Sequence, residues 1–167
     1  QNHYRKKTMK LIIPKLILPL LMFIAAGTHA GSGVDYPDGY RTWTHIKTMA
    51  LHKGHPLENP FMGIHHVYGN EEGVKGSKSG QYEDGAILVF DLLQYMTQDN
   101  ASTEGDRVLV GVMVKDSNKY AATGGWGFEG FKGNSHTERL VNDGGQSCFA
   151  CHASQKETSY VFSRWRN

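Results

Sequence analysis

The chain has 167 residues, with 18 Lys and Arg against 16 Asp and Glu, nine His, 20 Gly and two Cys. Five of the basic residues (Arg5, Lys6, Lys7, Lys10 and Lys15) lie before residue 31 while all 16 acidic ones follow it, so residues 31–167 carry 13 basic against 16 acidic groups, a charge near −3. That balance leaves no basic stripe for a phosphate backbone and argues against nucleic-acid binding. A segment of this length supports one domain with a real core rather than two.

In chain order, Met9-Lys10 opens a basic segment that includes Lys15, followed by the apolar run 16–26 and then Gly27-Thr28-His29-Ala30, a small-residue cleavage site. This predicts an export signal within residues 1–30, with residues 1–8 upstream of a natural start methionine, and a single domain over 31–167. The apolar run is shorter than the ~20 residues of a spanning helix, and Pro14 and Pro19 interrupt the segment. No permanent membrane span is expected after cleavage, and the expected location is a bacterial periplasm.

Tyr40, Trp43, Ile46, Met49 and Ala50 recur at helical spacing behind Asp38 as N-cap, which predicts a helix over 40–51. His45 and His52 on it have no carboxylate at matching spacing and read as solvated helix residues. After the turns at His55-Pro56 and Asn59-Pro60 the period changes to two. Residues 61–68, 86–93, 108–115 and 125–131 are short runs rich in β-branched and aromatic side chains, and read as four strands. Segment 69–82, with four glycines, and the polar segment 97–106 read as loops of hairpin scale or longer, which favours antiparallel pairing. Short helices are expected over 115–122 and 153–165. The fold class expected is α+β, a mainly antiparallel sheet with flanking helices.

Cys148-Phe149-Ala150-Cys151-His152 carries the chemistry. Two thiols three positions apart can each add across a vinyl group of one haem, while the imidazole directly after the second takes an axial position on the iron. These are the only cysteines, so neither remains for a disulfide. A thioredoxin-like pair belongs near a βαβ unit at the start of a domain, and a structural zinc would have to recruit a distant histidine such as His136. The pentad therefore predicts a c-type cytochrome with one haem c, bound covalently through Cys148 and Cys151, with His152 as metal ligand. Helical electron carriers place the motif near the N-terminus, and classical cytochromes c′ are four-helix bundles; the alternating runs fit neither.

The chain resembles the cytochrome P-460 and cytochrome c′-β superfamily. The residues that carry the resemblance are Tyr36-Pro37 with Tyr40-Arg41-Thr42-Trp43, the stretch 64–68, Asp84-Gly85 leading into a strand, Val114-Lys115-Asp116-Ser117, Gly125-Trp126-Gly127-Phe128, the haem pentad and Val161-Phe162-Ser163. It implies a mostly β fold, commonly homodimeric, with a five-coordinate haem c held by His152 and a ligand pocket on the other face. Hydroxylamine-oxidising members carry a lysine bonded to the macrocycle six residues beyond the Asp-Gly turn; that position here is Phe90. Phe90 has no amine to form the bond, which resembles the c′-β branch, whose aromatic pocket binds nitric oxide and carbon monoxide. Lys75, Lys78 and Lys115 are the remaining candidates for a cross-link.

Where hydroxylamine-oxidising members carry a distal arginine, the alignment places His65, with His66 beside it. Strand alternation lets only one of them face the haem. His65 sides with Phe61 and Val67, and His66 with Met62, Ile64 and Tyr68, so the pattern leaves the choice open and the alignment favours His65. A distal histidine can ligate iron, hydrogen-bond a diatomic ligand or relay protons. Met113 is a second candidate sixth ligand, Asp143 and Glu129 are candidate relay carboxylates, and Arg41, Arg139 and Arg164 candidate partners of the haem propionates.

The function expected is that of an exported monohaem cytochrome binding nitric oxide or a related small nitrogen-oxide ligand. Two alternatives stay open: an enzyme that oxidises hydroxylamine or converts nitrogen oxides, and a six-coordinate electron-transfer cytochrome with a redox partner cytochrome.

Overall fold

The computed structural model describes Gln1 and residues 32–166. The export-signal reading therefore lies outside the described residues, apart from Gln1. Among the described residues no helix is long and apolar enough to cross a membrane.

Five strands form one antiparallel meander in the order β1-β2-β3-β4-β5: β1 Thr44–Leu51, β2 Gly63–Gly69, β3 Ile87–Gln98, β4 Ala101–Lys115 and β5 Trp126–Lys132. The helices are short: α1 Glu58–Phe61, α2 Glu71–Ser79 and α3 Gln146–His152. The α+β architecture expected from the sequence is present, with one more strand than the four expected.

The predicted helix over 40–51 is instead a 3-10 turn, Tyr40–Thr42, followed by β1. A bulge between His45 and Lys47 inserts Ile46 into the ladder and shifts the inward face by one residue. The apolar positions on either side of such a shift mimic a helical period, yet Met49 is 47% exposed. Asp38 does not cap the turn; Gly39 occupies that position in left-handed backbone.

The glycine-rich segment 69–82 is not a loop but carries α2. Asn70 caps the helix by accepting from the Gly73 N–H at 2.8 Å, and Gly80 closes it. The glycines let the helix approach its neighbours: a Cβ on Gly76 would enter the ring of Tyr82. Segment 97–106 is likewise strand, continuing β3 and β4 to a two-residue turn at Asp99 and Asn100, both with positive φ. The helix expected over 115–122 reduces to a 3-10 turn at Ala121–Thr123, because Asp116 turns the chain by accepting from the Asn118 and Lys119 N–H groups. The helix expected over 153–165 stops as a 3-10 segment, Ala153–Thr158, at the left-handed residues Ser159 and Tyr160.

The sheet is buried on both faces. On the front, Ile46, Val67, Leu88, Trp126 and Phe128 pack with Tyr82 and Val161, and Phe90, Met113, Cys148, Phe149 and Tyr160 lie against them. On the back, Val89, Val110, Val112 and Phe131 pack with Val34, Tyr40 and Tyr120. The outer edge of β5 is covered by residues 138–140, through Lys132 N–H to Glu138 O at 3.0 Å and Leu140 N–H to Gly130 O at 2.8 Å. Asp91, fully buried on the back, is paired with Arg107, whose Nε lies 2.7 Å from Oδ1.

Two substitutions test this packing. Gly76→Ala should lower stability by about 1–3 kcal/mol through overpacking against Tyr82, although alanine is the better helix former, as read from the urea midpoint. Arg107→Met leaves the Asp91 carboxylate buried without its close partner and should cost about 3 kcal/mol in the same measurement.

Candidate functional site

The haem pentad occupies α3, which begins behind two glycines, Gly144 and Gly145, both in left-handed backbone. Asp143 steadies its first turn, accepting from the Gly145 and Ser147 N–H groups at 3.0 and 2.9 Å. Hydrogen bonds from Ser147, with those of the backbone, hold the Asp143 carboxyl below its ordinary pKa. Asp143 thus braces the turn that leads into α3.

Cys148 and Cys151 stand one helical turn apart, so their side chains leave α3 on one side. Neither is in a disulfide; Cys148 is half-buried against the front core and Cys151 is exposed. Burial raises the Cys148 thiol pKa, with the Asp143 charge second. A redox dithiol needs the opposite shift.

His152 Nδ1 lies 2.7 Å from the Tyr160 carbonyl oxygen. A carbonyl can only accept, so Nδ1 carries the proton and Nε2 presents its lone pair, the tautomer of a metal-ligating histidine. The ring sits between Phe128 and Phe162, each 5.0 Å away centroid to centroid. The carbonyl reaches it because Ser159 and Tyr160 reverse the chain with φ of 54° and 65°. Trp126 Nε1–H donates to Ser159 O at 2.8 Å and secures that reversal. At the same place Gly124 is required, since a Cβ there would lie 2.6 Å from the Tyr160 ring and 3.0 Å from Phe149. Trp126, Tyr160 and Gly124 are orienting residues that spacing alone does not reveal; the signal available was a Gly-Gly-Trp run and a tyrosine eight residues past the histidine.

Across the same face lies the other group of site residues. Residues opposite each other in an antiparallel ladder share a face, which aligns Val67, Phe90, Gly111 and Gly130 in one row and His65, Leu92 and Leu109 in the next. The His65 ring leans on Phe90, centroids 4.3 Å apart and planes at 34°, and Phe90 meets Phe61 edge-on at 5.8 Å. At Gly111 the face has no side chain, and the atoms nearest to a Cβ there would be those of Phe90, at 3.4 Å and beyond. Leu140 covers Gly130 and remains 46% exposed.

The register decides between the two histidines. His65 is 5% exposed and faces the front, and its Nδ1 is buried without a hydrogen-bond partner. Burial, with His66 as a second cause, lowers its pKa to about 4. His66 faces the back, its Nε2 2.5 Å from Glu104 and its Nδ1 2.8 Å from Thr48 Oγ1, which in turn lies 2.8 Å from His45 Nε2. Glu104 can only accept, so His66 Nε2 donates to it, and Thr48 Oγ1 bridges His66 Nδ1 and His45 Nε2.

Other candidates are committed elsewhere. Glu129 is buried on the back of β5, accepting from Ser32 Oγ, Arg139 Nη1 and the Gly130 and Val141 N–H groups. It therefore lies on the sheet face opposite the candidate site, and Arg139 is spent on it and on Val34 O. Arg41 lies 4.0 Å from Asp91. Arg164 lines a cleft with Lys78 and Tyr82. Met113 packs in the row of Leu88 and Phe128 as a core residue. Lys75 pairs with Glu71, Lys78 sits over Trp165 and Lys115 donates to Gly124 O. His136 stacks on Tyr36, and among the described residues no group of three His, Cys, Asp or Glu side chains is placed to hold a metal ion.

The arrangement suits a flat iron-bearing cofactor. One imidazole has a fixed free nitrogen, two thiols leave one side of a helix, and the neighbouring sheet face is apolar with an unsatisfied polar atom. A family model described as Cytochrome P460 matches residues 37–163. No curated protein matches the chain.

The buried ring of His65 makes stability depend on pH. The unfolded ring takes a proton near pH 6.5 and the folded ring only near 4, so its contribution is complete above about 6.5 and is lost as pH falls toward 4, by roughly 3 kcal/mol. His65→Leu should remove that slope. Urea unfolding from pH 7 to 4 should show wild type losing stability relative to the variant by about this amount.

Proposed function

Because the chain belongs to the cytochrome P460 family, we propose that this haem-binding protein is an exported single-haem c-type cytochrome whose iron binds nitric oxide or a related small nitrogen-oxide ligand. Cys148 and Cys151 would hold the haem covalently and His152 its iron. A haem held by these residues would supply a redox-active iron able to take a small ligand. The observation that carries the reading is the His152 Nδ1 to Tyr160 O hydrogen bond, which leaves Nε2 free toward a metal.

Phe90 favours ligand binding over hydroxylamine oxidation. It stands at the position of the cross-linking lysine and packs against His65 and Phe61. Lys75, Lys78 and Lys115 each make contacts elsewhere. His65 and Phe90 are the residues of the ligand side in this proposal. Export to the periplasm rests on the basic, apolar and small-residue pattern over 9–30. A homodimer and a redox partner cytochrome belong to the same proposal, by family resemblance.

Two measurements test it. The reduced protein is expected to be high-spin and to take up carbon monoxide and nitric oxide; a low-spin reduced spectrum with no uptake of either would overturn the reading. The tryptic haem peptide is expected to show attachment through Cys148 and Cys151 alone, and a third bond to a lysine would restore the hydroxylamine-oxidising alternative.

A further inference from the structure

Among the described residues two buried side-chain polar atoms have no hydrogen-bond partner, Tyr40 Oη and His65 Nδ1. Tyr40 lies on the back of the sheet, where the Asp91 carboxylate is its electrostatic neighbour. His65 has no such neighbour on the front. The residues around it are apolar: Val67 on its own strand, Leu92 opposite it on β3, Met49 opposite it on β1, and the Phe90 ring against which it leans.

A buried polar group without a partner costs roughly 1–3 kcal/mol, and such groups are uncommon in native proteins. At this position a leucine or phenylalanine would match its surroundings. The packing against Phe90 fixes the ring plane instead of turning the nitrogen toward solvent. The unpartnered atom is on the same sheet face as Phe128, which contacts His152, and its ring leans on Phe90, whose ladder partner Gly111 brings no side chain to that face. An imidazole so held is a ready hydrogen-bond donor for something that enters the front face.

We propose that His65 is a specificity-determining residue, which donates a hydrogen bond to the small ligand held on the front face and selects ligands with a hydrogen-bond-accepting outer atom, nitrogen oxides and dioxygen, over carbon monoxide. This rests on the preceding reading of an iron open to small ligands. A hydrogen bond is stronger when its acceptor carries charge, so the ligand that accumulates most negative charge gains most. Hydroxyl or amide donors are absent from the immediate neighbours named above, so the discrimination falls on this one ring.

The test uses the full haem-loaded protein, its His65→Phe variant, which fills the space without a donor, and its His65→Gln variant, which restores one. In His65→Phe the C–O stretching frequency of the reduced carbon monoxide complex should rise, and nitric oxide should dissociate roughly ten- to a hundredfold faster. Carbon monoxide dissociation should change by less than about threefold. His65→Gln should return the stretch and the nitric oxide rate most of the way to wild type.

An unchanged stretch and nitric oxide rate in His65→Phe would overturn the proposal, as would equal effects of Phe and Gln. A low-spin wild type that becomes high-spin and binds carbon monoxide only in His65→Phe would make His65 an iron ligand and overturn it differently. Low-spin spectra without carbon monoxide uptake in wild type and both variants would instead sink the open-iron reading itself.

Discussion

Adjacent residues of a pleated strand point to opposite sides, and in the β2–β5 ladder that alternation separates chemistries that are neighbours in sequence. His65, Phe90 and Phe128 go to the front, while His66, Asp91 and Glu129 go to the back. Around His65 the front is apolar, and one imidazole nitrogen there is unsatisfied. On the back, the ionic groups pair among themselves, Asp91 with Arg107 and Glu129 with Arg139. The pairing matters because an uncompensated buried charge would oppose folding and perturb any titration nearby.

The second constraint is local. Two consecutive residues without the glycine exemption, Ser159 and Tyr160, adopt left-handed backbone, a conformation that persists only where its surroundings enforce it. Trp126 supplies the hydrogen bond and Gly124 the space. The result is that one carbonyl oxygen selects the tautomer of His152. Rigidity in the sheet is thereby transmitted to the orientation of a ring on a seven-residue helix, which has too few turns to position it unaided.

The strands were legible where both faces are buried or cleanly alternate, as over 86–93 and 125–131, because a period of two is a direct consequence of the pleat. Segment 40–51 mimics a helical period because the bulge at Ile46 offsets its inward positions by one. Glycine content concealed α2, since Gly73 and Gly76 are present for close approach rather than for flexibility. The strands flanking the turn at Asp99 and Asn100 are exposed and polar, so they carry no apolar alternation that separates them from a longer loop.

Sequence alone supplied the candidate attachment residues, because two thiols and an imidazole at that spacing fall within about one helical turn whatever surrounds them. By resemblance it also placed Phe90, which has no amine, where hydroxylamine-oxidising relatives carry a cross-linking lysine. It left the distal side undecided: His65 and His66 each have apolar companions two residues away, so the period by itself is symmetric. Only the tertiary structure broke that symmetry. The register of β2 against β1 and β3 sets which histidine is inside, and long-range contacts at Tyr160 and Trp126 set which nitrogen of His152 is free. Both depend on partners far apart along the chain, which local spacing does not encode.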